Sequence, residues 1–158
     1  VIPLPDFKQK MVQIGYLART ANLLGIATPK IACIAPSEQL LPNVISSTEG
    51  ALLAKMADRG QLGNVVVDGP LSLDVALYKE GAEHKKVKGS SVAGDPDCLL
   101  FPNLESANVF FKSVSHLCGG ELAAMVMGTK VPCVLTSRGD TSKTKLFSIA
   151  LACLAVKK

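Results

Sequence analysis

A chain of 158 residues that is 48% apolar and only 19% charged carries enough hydrophobic surface to bury a single-domain core, which excludes a disordered or low-complexity polypeptide. A net charge of +4 with 4% aromatic residues and no Trp is too weak a combination for a nucleic-acid surface built on basic patches and base stacking; small anions suit it better. The longest apolar runs, such as Ile149 to Val156, fall far short of the roughly 20 residues that a membrane-spanning helix needs, so no span is expected.

The first stretch, VIPLPDFKQK, has no charged leader, no long apolar core and no initiator Met, so it reads neither as a signal peptide nor as a natural start, and an upstream part is expected. Phe7, Met11, Ile14, Leu17, Ala21 and Leu24 recur with helical period. Asp6 and Gln9 suit a capping box and Gly25 a stop, which together predict the first helix. KIACIAP then reads as a short buried strand, followed by a loop and a helix from about Thr48 to Arg59 that ends at Gly60. NVVVDGP is a strand closed by a Gly-Pro turn, SLDVALYKEGAEHK a helix from about Ser72, and CLLFP a strand that enters a helix at about Leu104 to Cys118. ELAAMVMG and VPCVLTS are strand-like runs either side of Gly128-Thr129-Lys130, spaced as a hairpin, and the last helix runs from about Thr141 to Val156.

Apolar strands alternating with helices make the class α/β, with a mostly parallel sheet flanked by helices and the hairpin as an antiparallel addition. Cys33, Cys98, Cys118, Cys133 and Cys153 are odd in number, lack a CxxC spacing and sit in apolar contexts. They read as buried thiols of a reduced, cytoplasmic protein, and no metal site is expected.

Ligands of open α/β sheets gather outside the carboxyl ends of the strands. Three polar clusters fall at predicted strand ends: Asp68-Gly69-Pro70, Pro102-Asn103 and Thr136-Ser137-Arg138. The last stands before a helix, whose free N–H groups attract anions, and Arg138 adds a fork of donors matched to phosphate or carboxylate. Lys143 and Lys145 in the first turn of that helix oppose its dipole and call for an anion to answer them. Asp140 or Thr141 is equally suited to be the N-cap. Arg138-Gly139-Asp140 is also the adhesive tripeptide, but between a strand and a packed helix of a reduced protein it has no adhesive role.

No G-x-S-x-G elbow surrounds Ser137, no motif places His84 or His116, and neither G-x-G-x-x-G nor a Walker loop occurs. In the second cluster Asn103 and Glu105 open a helix that carries Asn108 and Lys112 on one face at i, i+4; these could face the same crevice, or Asn103 could cap the helix and Lys112 lie on the surface.

ALLAKMADRGQLGNVVVDGPLSLDVAL, VAGDPDCLLFPNLESANVFFK and GTKVPCVLTSRGDTSKTKLFSIALA together resemble, in order and spacing, the C-terminal half of the phosphate acetyl/butyryltransferases, with the butyryl branch the nearer. The resemblance spans the chain from about Phe7. It implies reversible acyl transfer between coenzyme A and inorganic phosphate, with coenzyme A and acyl-CoA, phosphate and acyl phosphate as partners and no cofactor. It also implies an isocitrate/isopropylmalate dehydrogenase-like fold of two α/β subdomains around a cleft. Residues 1–158 would be the C-terminal half of the catalytic region, without the N-terminal subdomain, and weakly active or inactive alone. A homo-oligomer is expected.

The same resemblance places the catalytic Ser-Arg pair on Ser137 and Arg138, with Asp140 as a substitute thiol base, and substrate contacts on Asn103, Asn108, Lys112 and Gly139. Thr144 stands in the stretch where the acetyl branch has its carboxylate, and N-L-E-S-A-N-V-F-F-K departs from the family block at Ala107 and Phe111. The alternative from another class is a non-catalytic module that binds coenzyme A or another anion. A dehydrogenase of the same fold is disfavoured because acidic metal ligands are absent at matched positions.

Overall fold

The computed structural model describes residues 2–156. They form two compact units, one reaching to Ala107 and the other beginning at Asn108.

The first unit is built on a parallel sheet of three strands, β1 Lys30–Ile34, β2 Val66–Leu71 and β3 Cys98–Leu100, in the order β2-β1-β3. Alternation along the central strand β1 feeds two cores. Ile31 and Cys33 join Ile14 of α1 (Phe7–Leu23) and Leu53 of α2 (Ile45–Asp58) on one side. Ala32 packs on the other side with Val75 and Ala76 of α3 (Leu73–Leu77) and Ala82 of α4 (Lys79–His84). The sheet is therefore covered on both faces, which is why its strands read as unbroken apolar runs.

Helix α1 has the expected local signals. Asp6 accepts the Gln9 N–H at 2.8 Å while Gln9 accepts the Asp6 N–H at 2.8 Å, and Gly25 ends the helix with φ of 91°. Lys10, almost wholly buried, is paired with Glu49 of α2.

Four expectations for the first unit and the cysteines are corrected. Helix α2 starts at Ile45 rather than Thr48, because its N-cap Val44 makes no side-chain cap and so leaves no mark in the sequence. Ser47 is turned to the preceding loop instead, accepting the Leu41 N–H at 2.8 Å and donating to the Gln39 carbonyl at 3.0 Å. The single helix expected from Ser72 is two, broken at Tyr78, whose backbone is extended (φ −121°, ψ 125°). Asp68-Gly69-Pro70 is not a turn beyond a strand but lies inside β2, which runs on to Leu71. Finally, Cys33 is buried and Cys98 half-buried, but Cys118, Cys133 and Cys153 are exposed.

The second unit contains most of α5 (Leu104–His116) and α6 (Ser142–Ala155), joined by an irregular segment. The two strand-like runs expected there make a single antiparallel bridge, Val126 with Cys133, closed by the Val126 N–H on the Cys133 carbonyl at 2.8 Å. They do not extend into strands, so the sheet gains no antiparallel member among the described residues. A two-stranded hairpin gains little unless one face is covered, and here Val131 and Leu135 are 68% and 74% exposed. The segment is tied to α6 at another point: Ser148, fully buried, accepts the Ala124 N–H at 2.9 Å and donates to the Thr144 carbonyl at 2.7 Å.

Candidate functional site

Thr141 is the N-cap of α6, its hydroxyl accepting the Thr144 N–H at 3.1 Å, so the first turn of the helix is capped from within. Asp140 is thereby released for another task. The Asp140 N–H donates to the Ser137 carbonyl at 3.1 Å, and the Asp140 carboxylate accepts the Ser137 N–H at 2.7 Å. Both main-chain polar groups of Ser137 are thus held by one residue, in a tight turn whose middle is Arg138-Gly139.

The other Asp140 carboxylate oxygen lies 3.7 Å from Lys112 Nζ. The Asp140 side chain is only 8% exposed, so a carboxylate removed from water is balanced by one charge-assisted hydrogen bond and one nearby ammonium. Lys112 Nζ also stands 5.2 Å from the centre of the Phe111 ring. The Ser137 and Arg138 side chains, by contrast, are exposed, and Arg138 makes no ion pair among the described residues.

The expected demand of Lys143 for an outside anion is corrected: it is paired with Glu121, 22 positions earlier, and stands 5.6 Å from the Phe147 ring centre. A cleft of about 240 Å³ opens here, lined by Ser115, His116, Glu121, Asp140 and Lys143 among others. His116 and Glu121 were not singled out by the sequence: no motif places the histidine, and no local spacing links Glu121 to Lys143. Thr136-Ser137-Arg138 precedes a helix as expected but follows irregular chain, not a strand.

Asn103 lies in the first unit just beyond β3 and caps α5, its side-chain oxygen accepting the Ser106 N–H at 2.8 Å. Asn108 is exposed, one helical turn before Lys112. Gly139 has no positive φ, and a Cβ added to it would meet nothing within 4 Å, so neither conformation nor packing within the chain demands glycine there. Ser137, Gly139, Asp140 and Lys112 are therefore assembled together in the second unit.

No three His, Cys, Asp or Glu side chains among the described residues converge as metal ligands, and no helix among them is long and apolar enough to cross a membrane. The less exposed thiols are poor nucleophiles: burial, with some help from Asp68, pushes Cys33 up to about 12, and burial pushes Cys98 up to about 11. The chemistry on offer is a hydroxyl and a guanidinium side by side on a braced turn. It suits an anion and a group reacting beside it.

Comparison with known proteins covers nearly the whole chain. The model of the phosphate acetyl/butaryl transferase family matches residues 1–153. A phosphate butyryltransferase of Clostridium beijerinckii is 44% identical over 98% of this chain and 51% of its own length. A phosphate acetyltransferase of Thermotoga maritima is 40% identical over 94% of this chain and 50% of its own. The crystal structure of a branched-chain phosphotransacylase from Enterococcus faecalis superposes with a TM-score of 0.87 at 30% identity, covering 98% of this chain and 54% of that one. The chain thus spans about half the length of the curated relatives it matches.

Proposed function

The chain belongs to the phosphate acetyl/butaryl transferase family, and we propose that it is the C-terminal half of the catalytic region of an enzyme that moves a butyryl or acetyl group reversibly between coenzyme A and inorganic phosphate. The likeness to the clostridial butyryltransferase along almost the entire chain carries this reading and favours butyryl. In this reading the other half completes an isocitrate/isopropylmalate dehydrogenase-like pair of subdomains, and the enzyme works in the cytoplasm as a homo-oligomer.

The coenzyme A thiol gives up its proton and its sulfur attacks the carbonyl carbon of the acyl phosphate. The tetrahedral intermediate then expels phosphate with the electron pair of the broken C–O bond, and the leaving phosphate takes up a proton. A thioester remains. Ser137 stands beside the sulfur and offers it a hydroxyl. Arg138 holds the phosphate oxygens and offsets the charge that builds up on the tetrahedral centre. Asn108 and Gly139 contribute substrate contacts. With both substrates bound, the rate is drawn from positioning and electrostatics rather than from a covalent enzyme intermediate.

The test is thioester formation from butyryl or acetyl phosphate and coenzyme A, by the chain alone and by the chain completed with the N-terminal half that this reading assigns to the whole enzyme. The completed enzyme should turn over, the chain alone weakly or not at all. Arg138→Ala should lower kcat/KM by about 10²- to 10³-fold. Absence of thioester from either acyl phosphate with the completed enzyme, or an unchanged rate for Arg138→Ala, overturns the assignment. Coenzyme A binding without turnover by the completed protein would indicate a non-catalytic binding module instead.

A further inference from the structure

We propose that Asp140 and Lys112 are positioning residues that lock the Ser137-Arg138 turn, and that neither serves as thiol base or substrate ligand; this rests on the acyl-transfer reading above. Asp140 faces the wrong way for a base. One of its oxygens is taken by the Ser137 N–H at 2.7 Å, the other is directed to Lys112 at 3.7 Å, and 8% exposure of the side chain leaves it little room to meet a thiol. Two hydrogen bonds from Asp140 instead constrain Ser137: its N–H is held by the Asp140 carboxylate and its carbonyl by the Asp140 N–H at 3.1 Å.

Lys112 completes the arrangement from α5, one turn past Asn108. At 3.7 Å its ammonium balances the charge of Asp140 without a hydrogen bond, so what matters is a positive charge at that place rather than the geometry of a lysine. The consequence is a division of labour along four consecutive residues. The two exposed side chains, Ser137 and Arg138, face outward for chemistry, and the mostly buried one, Asp140, faces inward to hold them. Thr141 makes the arrangement possible, because it caps α6 and leaves the Asp140 carboxylate free to reach back.

Two measurements test the clamp separately from the reaction. In the chain itself, hydrogen exchange at the Ser137 amide should quicken about tenfold or more in Asp140→Ala and in Lys112→Met. Exchange at the Ala124 amide, held by Ser148, should not change and so reports that the unit is still folded. In the completed enzyme, kcat should fall roughly 10- to 100-fold in each variant with KM for phosphate little altered, since a misplaced reacting group costs rate rather than ground-state affinity. The double variant should be no slower than Asp140→Ala alone.

Lys112→Arg should return kcat to within about threefold of the parent. Asp140→Asn, whose amide oxygen still accepts from Ser137, should be faster than Asp140→Ala and keep the shape of the pH–rate profile. Unchanged Ser137 exchange in both single variants overturns the clamp, whatever the activity. A raised KM for phosphate in Lys112→Met, or effects that multiply in the double variant, would make Lys112 a substrate ligand and overturn its positioning role. Asp140→Asn as inactive as Asp140→Ala, with the acidic limb of the profile lost, would make Asp140 the base. Failure of the parent enzyme to form thioester counts against the acyl-transfer reading alone, since the exchange result does not depend on it.

Discussion

Gly69→Ala should destabilise the first unit sharply, although it adds one methyl group to a position that reads in the sequence as a turn closing a strand. A Cβ at Gly69 would lie 2.6 Å from Cys33 Cβ, 3.1 Å from the Cys33 carbonyl oxygen and 3.3 Å from Gly50 Cα. Carbon atoms pack at about 3.5 to 4.0 Å, so at least about 0.9 Å must be opened against β1 alone. No flexible side-chain tip can yield: the obstacles are the central strand on one side and the backbone of α2 on the other. Overpacking of this kind costs about 1–3 kcal/mol, and the rigidity of both neighbours puts Gly69→Ala at the upper end. Gly50→Ala meets the same crossing from the helix side, 3.3 Å from Pro70 Cα and 3.4 Å from Cys33 Cβ, but this milder crowding is offset by the helix propensity gained in α2, so it should change stability by less than about 1 kcal/mol.

Gly15 supplies the opposite sign. It lies in α1 with nothing within 4 Å of an added Cβ, so Gly15→Ala should stabilise by about 0.5–1 kcal/mol through helix propensity and reduced freedom of the unfolded chain. Urea denaturation followed by far-UV circular dichroism suits a chain without Trp. Both effects should appear as opposite shifts of the midpoint at constant slope. A Gly69→Ala protein as stable as the parent would refute the close crossing of β1, β2 and α2 and the reasoning built on it.

The remaining predictions concern the second unit and the thiols. Ser148→Ala leaves the Ala124 N–H without its acceptor and should cost about 1–3 kcal/mol, with exchange at the Ala124 amide rising in step; undisturbed protection there would show that the tie between this segment and α6 is immaterial. Alkylation of the native chain should reach Cys118, Cys133 and Cys153 well before Cys33 and Cys98, as peptide mapping of the labelled protein will show. Because Cys33 holds its proton in the folded state up to about 12 against 9.0 ordinarily, its contribution to stability is complete below pH 9 and is lost as pH rises from 9 towards 12. Cys33→Ala should lessen that alkaline loss in urea titrations; a parent and variant that weaken equally above pH 9 would contradict the burial assigned to this thiol.

Elements that the sequence made legible are those whose causes lie within a few residues. Helix α1 carries its own start in the Asp6–Gln9 box and its own stop in Gly25, and the three parallel strands announce themselves because each is covered on both faces. Helix α2 hid its first turn because Val44 offers no side-chain cap, and the break at Tyr78 hid because both flanking helices keep an uninterrupted helical pattern. Gly69 misled for a deeper reason. Glycine before proline is a turn signal in local terms, whereas here the glycine answers the approach of Cys33 and Gly50, 36 and 19 positions away in sequence.

The candidate site divides along the same line. Ser137, Arg138 and Asp140 stood out because a hydroxyl, a guanidinium and a carboxylate precede a helix, and that placement survives although the preceding segment is not a strand. What the local pattern could not show is which cations are already answered. Lys143 stands in the first turn of α6 and would attract an anion on dipole grounds, yet Glu121 pairs with it; Lys112, expected as a substrate contact, lies 3.7 Å from Asp140. Both pairings join residues more than 20 positions apart, a separation at which spacing carries no information. Once they are subtracted, Arg138 on the turn and Lys145 in the first turn of α6 are the cations without an ion-pair partner among the described residues, and of the two only the guanidinium can grip an anion with two parallel hydrogen bonds.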